Sequence, residues 1–310
     1  SENCGSQLSH NGTDSWSHTQ NGMSGRNDIY FVAVDSYGNH TPSRHLDLRI
    51  DIAVPNTLIG LNGNSTPLSW PAWFTQPVQV SLNSTDGATG SAASGIDRLL
   101  YRIDGGNWQT IIGNSTSFTI TSDGSHSVEY YAIDKVGNIE TTHTANFKID
   151  QTPPTLPPDV LESSGVISDI WQNTQNTPIF TWGEATDALS GLSGYQFYFG
   201  KDPGGIGYNN FAASALRVWT PQPDGIHTGT YYLRGRTRDV AGNWSAWTTL
   251  FTFKYDGTPP ENPTEVIHAA GITSTVWQNS TNTADFTWPR AHDEGSGIRG
   301  YYIYWGLFPD

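Results

Sequence analysis

Aspartate recurs at fixed places along this chain. Asp51, Asp150 and Asp256 sit in R-I-D-I-A-V-P, K-I-D-Q-T-P-P and K-Y-D-G-T-P-P, 99 and 106 residues apart. Asp35, Asp134 and Asp239 sit in V-D-S-Y-G-N, I-D-K-V-G-N and R-D-V-A-G-N, each 16 or 17 residues before one of those aspartates. Asp86, Asp187 and Asp293 come shortly before Ser94-Gly95-Ile96, Ser190-Gly191-Leu192 and Ser296-Gly297-Ile298. A carboxylate is a hard oxygen donor, and three of them with backbone carbonyls supply the six to eight oxygens that calcium takes. The same residue type also makes turns, because its side chain accepts hydrogen bonds from amides a few positions on. Both readings stand on the sequence.

Other chemistry has less to work with. The nine histidines are scattered and form no H-E-x-x-H pair, and there is no G-x-S-x-G elbow, phosphate loop or dinucleotide fingerprint. Cys4 is the single cysteine, so an internal disulfide or a cysteine-based zinc site is excluded. Each carboxylate motif is accounted for by a turn or a joint, and no enzymatic activity is expected. Trp70, Trp73, Trp108, Trp244 and Trp247 could stack on sugar rings if they lay exposed in a row; the competing reading is packing, as for Trp182 and Trp288 beside alternating apolar residues. Asn-x-Ser/Thr triplets occur at Asn11, Asn64, Asn83, Asn114, Asn243 and Asn279. In a chain so rich in Asn, Ser and Thr, composition alone produces several of these, so a glycan is a weak inference.

Charge and hydropathy exclude more. The net charge is −14 with four lysines, Lys135, Lys148, Lys201 and Lys254. No basic patch exists for nucleic acid or an anionic membrane surface. No apolar run approaches the ~20 residues of a membrane span. Ser1 opens the sequence with no signal peptide after it, and the expectation is a mature or excised piece.

The elements that must position the aspartates read as strands. Y-Q-F-Y-F-G alternates Tyr195, Phe197 and Phe199 against polar or small neighbours, and L-L-Y-R-I alternates Leu99, Tyr101 and Ile103. Asp104-Gly105-Gly106-Asn107 predicts a hairpin, with Gly-Gly taking the positive φ of a primed turn. H-S-V-E-Y-Y-A-I-D and T-A-N-F-K-I-D predict two more strands joined by the D-x-x-G-N turn. No stretch sustains helical spacing. W-Q-N-T-Q-N-T-P-I-F-T-W at Trp171–Trp182 repeats as W-Q-N-S-T-N-T-A-D-F-T-W at Trp277–Trp288 with no gap. About seven strands in ~100 residues is the rhythm of an immunoglobulin-like sandwich. The Pro pairs after Asp150 and Asp256 stiffen those joints.

The D-G-T-P-P joint, the S-G-I/L before the third strand, and Y-A-I-D-K-V-G-N or R-T-R-D-V-A-G-N-W-S across the last hairpin resemble the immunoglobulin-like and fibronectin-III-like tandem repeats of large bacterial cell-surface and secreted proteins. The resemblance covers essentially the whole chain. It implies an extracellular, non-enzymatic, load-bearing or spacing role, at a cell surface or in a secreted protein. The implied fold is all-β: tandem sandwiches with an incomplete one at each end. Residues 1–51 are the C-terminal half of a repeat, 52–150 and 151–256 are whole repeats, and 257–310 are the N-terminal half of another.

In such a sandwich the entering linker and two loops share one pole. That pole is expected to collect Asp51, Asp86 and Asp134 in the first whole repeat, Asp150, Asp187 and Asp239 in the second, and Asp256 with Asp293 in the last. Calcium at these joints is the cofactor they suggest. In repeat register Asp310 matches Gly204 and Ser1 matches Gly205, so the two half-repeats abut as one sandwich. The partners expected are copies of the same chain, completing each other head to tail into a filament, or the continuation of one long polypeptide. A glycan or a host or cell surface is a further possible partner. The alternatives are the stalk of a surface adhesin and a spacer or carbohydrate-binding region of a secreted polysaccharide-degrading enzyme.

Overall fold

The structure, a computed structural model, describes residues 23, 25–64, 72–87, 93–207, 211–213, 217–221, 224–268, 275–277, 279, 283 and 285–306. Ser1, Cys4, Asn11, Trp70 and Asp310 lie outside them. The regular elements of the described residues are all strands. The chain divides into two compact units, residues 1–72 with 77–149 and residues 73–76 with 150–310.

The first unit opens with an antiparallel hairpin, β1 (Gly25–Phe31) and β2 (Arg44–Ile50). Seven strands follow: β3 (Asn56–Leu61), β4 (Val78–Thr85), β5 (Ile96–Ile103), β6 (Gln109–Ile112), β7 (Ser115–Ile120), β8 (Gly124–Asp134) and β9 (His143–Ile149). They form two antiparallel sheets, β3-β4-β7 and β6-β5-β8-β9. Side chains alternate across a pleated strand with period two, and β4 shows the result. Val78, Val80, Leu82 and Ser84 are buried while Gln79, Ser81, Asn83 and Thr85 are exposed. Leu61, Val78, Val80 and Leu82 of one sheet and Leu99, Val128, Ala132 and Ile149 of the other are the buried core. Two sheets with their apolar faces toward a shared core make an immunoglobulin-like β-sandwich.

The hairpin between β5 and β6 differs from its sequence expectation by one residue. The positive φ angles fall on Asp104 (50°) and Gly105 (69°), and the Gly106 amide donates to the Ile103 carbonyl at 2.9 Å. Asp-Gly, not Gly-Gly, is the central pair. Asp104 is held there by its side chain, which accepts the Ser127 amide at 2.7 Å and lies 2.9 Å from His126 Nδ1.

The second unit holds β10 (Leu161–Glu162), β11 (Trp171–Gln172), β12 (Phe180–Thr181), β13 (Leu192–Gly200), β14 (Phe211–Ala213), β15 (Val218–Trp219), β16 (Gly229–Asp239) and β17 (Thr248–Tyr255). Its sheets are β10-β12-β15 and β11-β17-β16-β13-β14. The first strand is split between them: β10 pairs with β12, and β11 crosses to pair in parallel with β17. The core is aromatic, with Phe180, Trp182, Tyr195, Phe197, Phe251 and Phe253 around Leu233. After β17 come two short paired strands, β18 (Ile267–His268) and β19 (Phe286–Thr287). The motif W-Q-N places Trp171 and Gln172 on β11, and the Gln172 side chain closes the next turn by accepting the Thr174 and Gln175 amides.

Candidate functional site: the aspartate knots

In the first sandwich Asp51, Asp86 and Asp134 converge, each with a carboxylate oxygen within 4.8 Å of the others. They come from the segment entering β3, the end of β4 and the end of β8. Asp51 Oδ2 accepts the Ser94 amide at 2.7 Å, and Oδ1 accepts the Ala53 amide at 3.1 Å. Asp86 Oδ2 accepts the Gly95 amide at 2.6 Å. Asp134 Oδ1 accepts the amides of Val136, Gly137 and Asn138, which is why D-x-x-G-N recurs as a unit. Gly137 has a φ of 99° and Gly95 one of 85°, in the left-handed region where a side chain is strained.

The second sandwich repeats the arrangement. Asp150, Asp187 and Asp239 converge within the same 4.8 Å. Asp150 Oδ2 accepts the Ser190 amide at 3.0 Å, Asp187 Oδ1 the Gly191 amide at 2.8 Å, and Asp239 Oδ1 the Gly242 and Asn243 amides at 2.6 and 2.7 Å. Asp134, Asp150 and Asp239 are almost wholly removed from solvent.

Two asparagines that sequence reasoning left without a role complete the knots. Asn138 Nδ2 donates to Asp134 Oδ2 and to the Asp51 carbonyl, at 2.7 and 3.1 Å. Asn243 Nδ2 does the same toward Asp239 Oδ2 and the Asp150 carbonyl, both at 2.8 Å. Each amide thus ties the last hairpin of its sandwich to the backbone of the linker entering it. The signal was in the sequence, since the asparagine closes the same motif each time. An N-linked glycan at Asn243 would consume the nitrogen that makes both bonds.

Asp256 and Asp293 carry two thirds of the pattern. Asp256 Oδ2 accepts the Ser296 amide and hydroxyl at 2.8 and 2.7 Å, and Asp293 Oδ2 accepts the Gly297 amide at 2.7 Å. Asp35, in the first unit, carries the remaining third. Its Oδ1 accepts the Tyr37 and Asn39 amides, and its Oδ2 accepts Asn39 Nδ2 at 2.8 Å.

No protein-family model matches the sequence, and no curated protein matches it. Solved structures that match the chain include the following three. Fibronectin(III)-like modules of CbhA from Clostridium thermocellum share 12% identity over 64% of this chain and 93% of theirs, with a TM-score of 0.32. The chicken CNTN1 FN1-FN3 domains share 13% over 73% of this chain and 77% of theirs, at 0.30. A Ca2+-stabilized, ice-binding adhesin of an Antarctic bacterium shares 16% over 74% of this chain and 56% of its own, also with a low TM-score, 0.31. Scores of that size assign no function to this chain.

The knots can do two things. As hydrogen-bond clamps they fix the linker against its own sandwich. As clusters of three carboxylates they gather oxygen donors of the kind a hard cation takes. At Asp51 and Asp256 hydrogen bonding favours the charged form. The Ser94 hydroxyl, with the Ser94 and Ala53 amides, holds Asp51 below the ordinary carboxylate value against the opposing effect of burial. The Ser296 hydroxyl and then its amide do the same for Asp256. A carboxyl whose folded-state pKa is depressed stabilises the fold above its unfolded value, near ~4, and loses that stabilisation as pH falls through the folded value. The melting temperature is therefore expected to hold steady from neutral pH down to about 5 and to fall below about 4. The Asp51→Asn variant should show a shallower fall when followed by calorimetry; an unchanged slope would remove Asp51 from the account.

Among the described tryptophans, Trp108, Trp244 and Trp247 each have an arginine guanidinium over the ring. Arg236 lies 4.0 Å from the ring centre of Trp244 and 5.1 Å from that of Trp247, and Arg238 lies 5.5 Å from Trp244. Trp108 packs against Arg102 and edge-on to Tyr131. Guanidinium groups lie over faces that a sugar ring would need.

Proposed function

We propose that this chain is a non-enzymatic structural segment of an extracellular fibre or stalk, built from tandem immunoglobulin-like sandwiches, and that calcium at the aspartate knots stiffens its joints. The observation that carries this reading is the repetition of one knot in both sandwiches, each time binding the entering linker through an aspartate side chain and an asparagine amide. A linear array gains rigidity where each domain grips its own linker, and an ion with six to eight oxygen ligands would lock that grip. Among the described residues no helix is long and apolar enough to cross a membrane.

The test is thermal unfolding of the full chain with calcium and with chelator. An ion that binds only the folded form adds about 2.7 kcal/mol at a hundredfold excess over its dissociation constant. For a sandwich of this size that is a rise on the order of 10 °C. Chelator should reverse it, and an Asp51→Asn/Asp150→Asn double variant should abolish it. A melting temperature indifferent to calcium would leave the knots as hydrogen-bond clamps alone.

A further inference from the structure

The outer face of the five-stranded sheet in the second sandwich carries a row of cations. Along β16, Leu233, Gly235, Thr237 and Asp239 are buried on the inner side, so Arg234, Arg236 and Arg238 share the outer side. Alternate residues of a strand lie about 7 Å apart. Trp244 and Trp247, from the loop between β16 and β17, lie against Arg236, and Trp244 lies against Arg238 as well. Arg236 Nε donates to Gln196 Oε1 of β13 at 2.8 Å, and Arg234 is tied to the Gly205 carbonyl at 2.8 Å. The stack closes the ring faces to a sugar, but it holds guanidinium groups in fixed places. The two terminal nitrogens of Arg236 and the whole guanidinium of Arg238, which is exposed, have no hydrogen-bond partner among the described residues.

Packing alone does not explain the row, because the first sandwich fills the same positions without it. The bridges Ile133–Ile139 and Arg238–Trp244 are equivalent, each starting one residue before a knot aspartate. Glu129, Tyr131 and Ile133 of β8 therefore stand where Arg234, Arg236 and Arg238 stand in β16, and Ile139 stands where Trp244 does. The charge is unbalanced too. The chain has 29 acidic and 15 basic residues, so a carboxylate partner is easily found. The other arginines of the two complete sandwiches each have one: Arg98 meets Asp97 at 3.4 Å, Arg102 meets Glu129 at 2.5 Å and Arg217 meets Glu184 at 3.0 Å. Arg234, Arg236 and Arg238 meet none among the described residues. Burial pushes the Arg236 guanidinium down from its ordinary value, the mark of a cation partly stripped of water. Three like charges in a row also repel one another, and an anion from outside relieves both costs.

We infer that this face binds a linear acidic polysaccharide, with Arg236 and Arg238 taking its carboxylates. The planar guanidinium fork matches a carboxylate with two parallel hydrogen bonds. Three observations choose the occupant. β16 is paired on both sides, by β13 and β17, so no strand edge beside the row offers backbone groups to an added peptide strand. The net charge of −14 opposes nucleic acid and an anionic membrane, which take broad basic surfaces. A regular row of cations on an open sheet face suits a stiff polymer that repeats its carboxylates along its length, since such a polymer has less freedom to lose on binding than an acidic peptide. The site goes beyond the structural-array reading and depends neither on calcium nor on the joints.

The probe is polygalacturonate, titrated into the full chain in the presence of chelator so that no calcium bridges the polymer to the knots. Calorimetry should show binding that weakens with added salt, and no binding of dextran, a neutral polysaccharide. Arg238→Gln should weaken the binding about 10-fold, the worth of one charge-assisted contact. Arg98→Gln removes the same charge from an exposed position of the first sandwich and should leave the binding unchanged. Arg238 is exposed, so its variant should keep the melting temperature and any calcium response of the parent. That separates failure here from failure of the joint reading. A chain that does not bind polygalacturonate overturns the proposal. Equal losses from Arg238→Gln and Arg98→Gln overturn it as well, since they would reduce the effect to overall charge. Polyglutamate bound as tightly as polygalacturonate would assign the face to an acidic protein segment instead.

Discussion

Phe180→Ala is expected to remove about 3–5 kcal/mol from the second sandwich, the range for truncating a fully buried aromatic. Phe180 is wholly buried. Its ring lies 5.6 Å from Phe199, 5.4 Å from Phe251 and 6.3 Å from Phe253, with edge-on geometry to the last two. Those partners belong to β13 and β17 of one sheet, while Phe180 belongs to β12 of the other. The side chain is thus a bolt between layers. It has little backbone to fall back on, because β12 is two residues long, paired with two residues of β10 on one side and two of β15 on the other. In β4 of the first sandwich, eight paired residues put four side chains, Val78, Val80, Leu82 and Ser84, into the core. Domains of this size carry roughly 5–15 kcal/mol in all, so calorimetry of the full chain should show one transition move sharply downward. Phe180→Leu, which keeps most of the volume, should recover most of the loss. A cost below about 1 kcal/mol for the alanine would mean that the aromatic cluster is not close-packed.

What could be read from the sequence was what local chemistry decides. Tyr195, Phe197 and Phe199 alternate because the pleat does, and they face the core. Ser-Gly-Ile and D-x-x-G-N recur because a positive φ and an acceptor for several amides are needed at those turns, and both needs are met within five residues. The convergence of three aspartates followed from placing those turns at one pole. The rest depends on contacts between distant residues. The crossing of β11 to pair in parallel with β17 joins Trp171 to Lys254, 83 positions away, and no periodicity announces it. Trp244 and Trp247 gave no sign that Arg236 would lie over both. The split hairpin centre at Asp104-Gly105 turned on a tie to Ser127 and His126 across the sheet. The oxygen atoms that a cation would use are the ones the turns already use, so composition could not choose between clamp and metal site.

Glu140 is the residue whose importance the sequence hid most completely, and Glu140→Ala is expected to cost the first sandwich about 3 kcal/mol or more. In N-I-E-T-T-H it reads as a solvent-facing acid after a turn. In the fold it is buried. Its Oε1 accepts the Thr57 amide at 2.7 Å and lies 3.1 Å from His143 Nε2. Its Oε2 accepts the Thr57 hydroxyl at 2.5 Å and the Ala132 amide at 3.0 Å. One carboxylate thereby joins β3 of one sheet to β8 of the other, near the point where the linker enters. Alanine would leave two backbone amides and a hydroxyl buried without an acceptor, and each such orphan costs about 1–3 kcal/mol before any relaxation. Glutamine separates shape from charge. It fills the space, but its NH2 must take the place either of Oε1, facing the Thr57 amide, or of Oε2, facing the Ala132 amide, donor against donor. It should therefore recover only part of the loss, whereas a side chain needed for volume alone would be replaced at almost no cost. Urea unfolding of the parent chain and both variants, with unchanged slopes and shifted midpoints, measures the ordering. Glutamine equal to the parent would show that the carboxylate's second acceptor is not what holds the two sheets there.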